Sequence, residues 1–417
     1  MRASLRDARS LADAHVMPTY RRWPVTFVSG EGMRLFDEGG HSYLDFMAGV
    51  AVNALGHAHP AVTEAVAQQI STLAHVSNLY YTTPMAELAE RLTGLLGWDD
   101  GRVFFCNSGA EANECALKLV RRWSRTRASQ GGVPPAMRAD TIAALGSFHG
   151  RTFETLAATG QPAKWEVFAP LPGGFIHVPF GDLAALEEAA GPSTAAVLLE
   201  PVQGEGGVVV PPGGYLEGAR ALCDAQGMAF VVDEVQTGMG RTGVWFASAD
   251  ARPDVITLAK ALGGGLPLGA CVARGELAEA FGPGDHATTL GGGPVVCAAG
   301  LAVLDVIEQE GLVEQAARVG AHLTRGLQGL VERHDAAVAV RGRGLLLALQ
   351  LSGDLARDVT GAALERGLLV NDVSPSAVRL CPPLIASEAD CDEAVQILDE
   401  VLACLPVATE PERLERS

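Results

Sequence analysis

Apolar residues in this chain follow two rhythms. Short continuous runs at 103–105, 141–144, 175–178, 196–199, 229–233 and 254–258 have no polar face. Runs of that kind fit strands covered on both sides, as in a parallel sheet. Between them, 109–127, 182–190 and 214–226 carry apolar residues at helical spacing, and glycine marks many of the junctions. Strand, glycine turn and helix in repeated succession predict βαβ units and an α/β core. Ligands of such sheets bind beyond the carboxyl ends of the strands, where these turns lie.

The rhythm differs at both ends. Residues 33–36 and 42–46 read as a hairpin turned at 37–41. Residues 60–73, with Val62, Val66 and Ile70 on one face, and 84–96 read as helices. Late in the chain, 294–309 and 312–334 are helical, followed by a strand at 345–351 and a helix at 355–366. Strands at 368–370 and 378–380 and a last helix at 387–405 complete the pattern. The expected organisation is a segment at 1–60 that joins the small domain, a large body at 61–334 and a small α+β domain at 335–417. The final dozen residues are charged and contain proline, which predicts fraying.

Composition narrows the function classes. Apolar residues make up 48% of the 417 and charged residues 19%, as in a globular protein. A net charge of −18 argues against nucleic acid or an acidic membrane as partner. No apolar run approaches the roughly 20 residues of a membrane span. Arg2, Arg6 and Arg9 alternate with Asp7 and Asp13 and precede no apolar stretch, so a secretory signal is not expected. The eight cysteines form no C-x-x-C pair, which predicts free thiols in a reducing cytoplasm rather than a disulfide or zinc framework. His57 and His59 have no third ligand nearby and read as a turn before a helix, so no metal is expected.

The chemistry concentrates at 229–260. One apolar run ends on Asp233, with Gln236 just beyond, and the next leads to Lys260 and then to Gly263, Gly264 and Gly265. The chain has only three lysines, Lys118, Lys164 and Lys260, so a lysine between an apolar strand and a glycine loop is conspicuous. Burial lowers a lysine pKa and makes the amine a reactive nucleophile toward carbonyls. Gly238, Gly240 and Gly243 match a dinucleotide spacing, but residues 233–237 separate them from the strand and no helical pattern follows. Residues 107–113, Asn-Ser-Gly-Ala-Glu-Ala-Asn, open a helix directly after a strand. That turn suits either a phosphate held by free backbone N–H groups or a plain capping box of Ser108 and Glu111.

In combination these stretches resemble the fold-type I, pyridoxal-phosphate-dependent aminotransferases of class III. The resemblance runs from about Met17 to Leu405. It rests on 107–113, Phe148-His149-Gly150-Arg151-Thr152, Glu200-Pro201-Val202-Gln203-Gly204-Glu205-Gly206, Asp233-Glu234-Val235-Gln236-Thr237-Gly238, Lys260 and Arg379-Leu380-Cys381-Pro382-Pro383-Leu384. It implies a large domain with a mainly parallel seven-stranded sheet flanked by helices, a smaller α+β domain, and pyridoxal 5′-phosphate as cofactor.

By the same resemblance Lys260 would hold the cofactor covalently and move the substrate proton, and Asp233 would keep the pyridine nitrogen protonated. Gln236 would bond the phenolic oxygen, Phe148 would stack on the ring, and Ser108, Gly109 and Ala110 would hold the phosphate. Thr289 would reach the phosphate across the interface of a homodimer. Arg151 and Arg379 would clamp carboxylates, with Glu205 pairing Arg379 when no carboxylate is present. The partners implied are a small-molecule amino donor and a 2-oxo acid acceptor. The stretches Asn78-Leu79-Tyr80 and Leu369-Val370-Asn371 favour the terminal amine of N2-acetylornithine as donor. Ornithine, succinyl-diaminopimelate, 4-aminobutyrate and carrier-linked lysine stay open, as does an aminomutase of the same fold. Leu290 and Gly293 depart from the Phe and Asn usual in the class, at the expected subunit contact.

Overall fold

The structure, a computed structural model, describes residues 8–131 and 138–405, with side chains described for 8–127 and 138–405. Residues 131–135, a Gly-Gly-Val-Pro-Pro stretch whose composition predicts a loop, lie largely outside that range, and the expected frayed end at 406–417 wholly so.

A seven-stranded sheet runs in the order Arg102–Cys106, Gly269–Ala273, Val255–Leu258, Ala229–Asp233, Thr194–Leu199, Asp140–Ala144 and Phe175–Val178. The five strands from Val255–Leu258 to Phe175–Val178 are mutually parallel, and Gly269–Ala273 is antiparallel to both its neighbours. Every residue of Thr194–Leu199 and Ala229–Asp233 is buried, which explains their unbroken apolar runs. Ala196, Leu198 and Val231 face Cys115, Leu119 and Trp123 of the Gly109–Gly131 helix. Val197, Phe230 and Val232 face Tyr215, Leu216 and Cys223 of the Tyr215–Gln226 helix. Alternate residues thus enter two separate cores. Each fully buried Val or Leu contributes about 1.5–3 kcal/mol.

The sequence pattern did not predict the Gly269–Ala273 strand. Gly-Ala-Cys-Val-Ala has one β-branched residue and little bulk, so it has low strand propensity. Its small residues answer a steric need: a Cβ on Gly269 would stand 2.6 Å from the Ser108 carbonyl oxygen. The strand passes directly beneath the turn at 107–110.

Two smaller sheets complete the molecule. Ala337–Arg343, Leu346–Leu351, Ala377–Leu380 and Asn371–Ser374 form an antiparallel sheet in that order. Phe27–Glu31, Arg34–Asp37 and Ser42–Asp45 form another, which Leu368–Leu369 completes by parallel pairing of Leu368 with Leu44. Phe27–Glu31, Ala337–Arg343 and Asn371–Ser374 are strands the pattern missed. Their half-exposed, glycine- or charge-bearing sequences have no clean two-residue alternation. Arg241, 1% exposed, joins the small antiparallel sheet to the large one. Its Nη1 donates to the Leu345 and Pro382 carbonyls, and Leu345 N–H donates to the Arg241 carbonyl at 3.0 Å. Among the described residues no helix is long and apolar enough to cross a membrane.

Candidate active site

The parallel strands end in register, with Leu199 beside Val232 and Asp233 beside Thr257. The loops that follow therefore converge. Around them lies a cavity of about 480 Å³ lined by Ser108, Gly109, Ala110, Phe148, Arg151, Glu205, Asp233, Gln236 and Lys260. Residues far apart in sequence are brought together because four neighbouring strands share one carboxyl edge.

Asp233, 4% exposed, is held by three donors. Asn113 Nδ2 reaches Oδ2 at 2.7 Å, His149 Nδ1 reaches the same oxygen at 2.9 Å, and Val235 N–H reaches Oδ1 at 3.0 Å. The carboxylate accepts, so Nδ1 of His149 carries a proton toward it, and Nε2 is buried with no partner among the described residues. Asn113 is itself fixed: its Oδ1 accepts from Thr257 Oγ1 at 2.7 Å and its Nδ2 also reaches the His149 carbonyl. The carboxylate is aimed by the first helical turns of Gly109–Gly131 and by the strand next to its own.

Lys260 has a left-handed backbone, φ 46°. Such strain costs on the order of 1–3 kcal/mol and is stored where function requires it. Loss of water around its amine pulls the pKa below the usual lysine value, against the pull of Glu205, Asp233 and Glu200. Glu200, 6% exposed, shifts the other way. Burial, reinforced by Asp233, raises its carboxyl well above the normal range, and its Oε2 accepts the Phe148 N–H at 3.1 Å.

Arg379 lies in the Ala377–Leu380 strand of the small sheet and is 1% exposed. Its Nη1 donates to Glu205 Oε1 at 2.5 Å, to Gln236 Oε1 at 3.0 Å and to the Gly204 carbonyl at 3.2 Å, and its Nε donates to Asn371 Oδ1 at 3.1 Å. Gln236 Nε2 donates to Glu205 Oε1 at 3.3 Å. Burial alone would raise the Glu205 pKa, but Arg379 and Lys260 hold it at about 2. Arg151 is exposed at the cavity, its guanidinium 5.5 Å from the Phe148 ring centre, and the Lys164 amine is 4.9 Å from the same ring.

At 107–111 the structure shows the capping alternative, and the cap leaves helix-start amides that a phosphate could use. Glu111 N–H donates to Ser108 Oγ at 3.2 Å and Asn107 N–H donates to the Glu111 carboxylate, a capping arrangement. The first N–H groups of the helix still have no partner within it. Gly109 is tight: a Cβ there would stand 2.8 Å from the Val235 side chain.

Thr289 is not at this cavity. It lies exposed in the 286–293 loop with Leu290, which is 62% exposed. Asn78 Nδ2 ties that loop down through the Gly291 carbonyl at 2.9 Å. The roles of Asn113, His149, Glu200 and Asn371 were not read from the sequence. An acid at the end of an all-apolar run (Glu200), and an asparagine one helical turn beyond Gly109 (Asn113), were the available signals.

A flat heteroaromatic phosphate ester fits these residues. Helix-start amides face one end of the cavity, and a buried carboxylate with fixed orientation and a lysine of lowered pKa complete the set.

The sequence model of the family described as aminotransferase class-III matches residues 16–402. Acetylornithine aminotransferase of Mycobacterium tuberculosis is 51% identical over 392 residues, covering 93% of this chain and 94% of its own. The Streptomyces coelicolor enzyme of the same name is 53% identical over 372 residues, covering 88% and 89%. Among solved structures, acetylornithine aminotransferase from Elizabethkingia anophelis superposes with a TM-score of 0.83 at 35% identity, covering 95% of this chain and 98% of that one. An ornithine aminotransferase from Toxoplasma gondii, which carries PLP at partial occupancy in its active site, gives 0.89 at 32% identity, covering 96% and 95%. With a family match over nearly its whole length and relatives at half identity, the chain belongs to the class-III aminotransferases.

Proposed function

We propose that this aminotransferase moves the terminal amine of N2-acetylornithine to 2-oxoglutarate, or the reverse, as a step of arginine biosynthesis. Pyridoxal phosphate, when bound, supplies an exchangeable carbonyl and a protonated ring that accepts the electrons of the deprotonated substrate carbon. Lys260 Nζ would hold the cofactor and, once released from it, carry the proton to and from that carbon. Asp233, oriented by Asn113 and His149, would keep the proton on the ring nitrogen. Ser108, Gly109 and Ala110 would hold the phosphate, Phe148 would pack against the ring, and the Gln236 amide would donate to the phenolic oxygen.

The choice of N2-acetylornithine is supported by the relatives at half identity, and the observation that supports a donor reacting through a terminal amine is the ion pair of buried Arg379 with half-buried Glu205. Glutamate reacts through the amine beside its α-carboxylate. Acetylornithine reacts through its terminal amine and places no carboxylate there. An Arg379 left without a partner would be a buried lone charge, at a cost of several kcal/mol. Glu205 neutralises it for acetylornithine and yields to the α-carboxylate of glutamate. Arg151, exposed at the cavity, takes the far carboxylate of either substrate, for which its planar fork is suited.

The same reading makes the protein a homodimer in which Thr289 of each subunit serves its neighbour's phosphate. Its support is the apolar exposure around that loop: Leu79 at 85%, Tyr80 at 68%, Tyr81 at 101% and Leu290 at 62%. The division at residues 60 and 334 belongs to it too, supported by the pairing of Leu368 with Leu44. Free thiols at all eight cysteines suit a cytoplasmic enzyme.

The test is a set of half-reactions followed by the absorbance of the bound cofactor. Glutamate and N2-acetylornithine are expected to convert it fastest. Faster conversion by ornithine, 4-aminobutyrate or succinyl-diaminopimelate overturns the substrate assignment.

A further inference from the structure

Glu205 belongs to a turn, residues 203–209, that the small antiparallel sheet holds from one face. Across that sheet Arg341 pairs with Ala348, Ala348 with Arg379, and Arg379 with Asn371. Directly opposed residues of neighbouring strands share a face, so these four form one row. Val208 of the turn, wholly buried, clusters with Ala348, the small member of the row between the two arginines. Both arginines reach the turn. Arg379 Nη1 donates to the Gly204 carbonyl at 3.2 Å, and Arg341 Nη2 donates to the Gly207 carbonyl at 2.8 Å. Glu205 therefore lies between two backbone carbonyls, each held by an arginine of the same row.

The rest of the turn is equally constrained. Gln203 N–H donates to the Val209 carbonyl at 3.0 Å, and Val209 N–H returns to the Gln203 carbonyl at 3.1 Å. The glycines beside Glu205 have no spare room. A Cβ on Gly204 would overlap the Gln236 amide, and one on Gly206 would stand 2.6 Å from the Gly146 carbonyl oxygen.

We infer that Arg341 is a positioning residue for the exchange at Arg379: it fixes the backbone of the Glu205 turn, so that only the Glu205 side chain moves when Arg379 changes partner. This rests on the exchange proposed above. Arg379 cannot both anchor the turn and release it to take a substrate carboxylate. Arg341 is outside the cavity lining and has no such exchange to make. A fixed turn also loses less conformational freedom each time Glu205 returns to Arg379, which favours their pairing. Loosening it weakens Glu205 as a competitor for Arg379. A terminal-amine donor, which needs Glu205 in place, then suffers, and glutamate, which displaces Glu205, does not.

Arg341→Met removes the donor together with a buried Nε that has no partner among the described residues, so the strand itself loses little. Arg341→Lys keeps a single-point donor. Single-turnover absorbance of the cofactor-loaded protein is measured against amine concentration. In Arg341→Met the half-saturating concentration of N2-acetylornithine should rise about tenfold, and that of glutamate should not rise. Arg341→Lys should fall between Arg341→Met and wild type. Amide hydrogen exchange reads the turn without turnover. Peptides covering 203–209 should exchange faster in Arg341→Met, while those covering Leu346–Leu351 keep the wild-type rate. Equal shifts for the two amines, or wild-type exchange in the turn, overturn the inference. Arg379→Ala in the same assay separates it from the reading beneath it. If that variant affects both amines alike, the exchange itself is wrong. If it separates them while Arg341→Met does not, the exchange stands and the role of Arg341 falls.

Discussion

At the residue scale, the sequence made some positions conspicuous and left others unread. Lys260 and Asp233 could be found because each ends an apolar run with a group that has no packing reason to be there. The residues that aim Asp233 could not, since a helical asparagine and a histidine are common and only the fold shows what they touch. Lys260→Ala is expected to give a folded protein that borohydride no longer links covalently to its cofactor; linkage that persists would contradict the assignment. Asp233→Asn should keep the cofactor and lose nearly all turnover, and Asn113→Leu should reduce turnover through the same carboxylate. The buried ion pair has a pH signature. Glu205 has a folded pKa of about 2 against an ordinary 4.5. A lowered carboxylate pKa gives stability that is complete above the ordinary value and lost as pH falls through the folded one. Wild type should therefore exceed Glu205→Gln in stability near neutral pH by on the order of 3 kcal/mol. The gap should shrink between pH 4.5 and 2, as read by denaturant unfolding at each pH. A gap independent of pH would show that the pairing contributes nothing.

At the element scale, the strand–turn–helix succession was legible because both faces of the sheet are covered and periodicity alone marks such strands. What escaped was set by contact rather than by pattern. Gly269–Ala273 is a strand because neighbours on both sides supply its hydrogen bonds, and it is small because the 107–110 turn lies 2.6 Å above any Cβ at Gly269. The same tightness at Gly109 gives a prediction. Gly109→Ala pushes a methyl group against Val235 and should displace the helix start proposed to hold the phosphate. Overpacking of this kind costs about 1–3 kcal/mol, or about tenfold or more in cofactor affinity. Equilibrium binding of pyridoxal phosphate to the apo-protein reads this directly, and wild-type affinity would mean that the turn does not hold the phosphate.

At the scale of the whole molecule, the chain pattern separated a large α/β body from a smaller late region, but not how the two share one site. Arg379 comes from the small antiparallel sheet, Glu205 and Gln236 from loops of the large one, and Arg241 fastens the two sheets together. An early and a late segment meet in the pairing of Leu368 with Leu44, a contact between residues over three hundred positions apart that no local pattern announces. On the proposed reading, a cavity lined by Glu205 and Gln236, both held by Arg379 from the other sheet, serves two substrate shapes only if that arginine can exchange partners. The direct test is single-turnover absorbance of Arg379→Ala with each amine. Removing one partner of a buried charge pair costs roughly 2–5 kcal/mol. The glutamate half-reaction should therefore slow by about two orders of magnitude or more, while the N2-acetylornithine half-reaction suffers much less. Equal losses for the two amines would show that no such exchange operates.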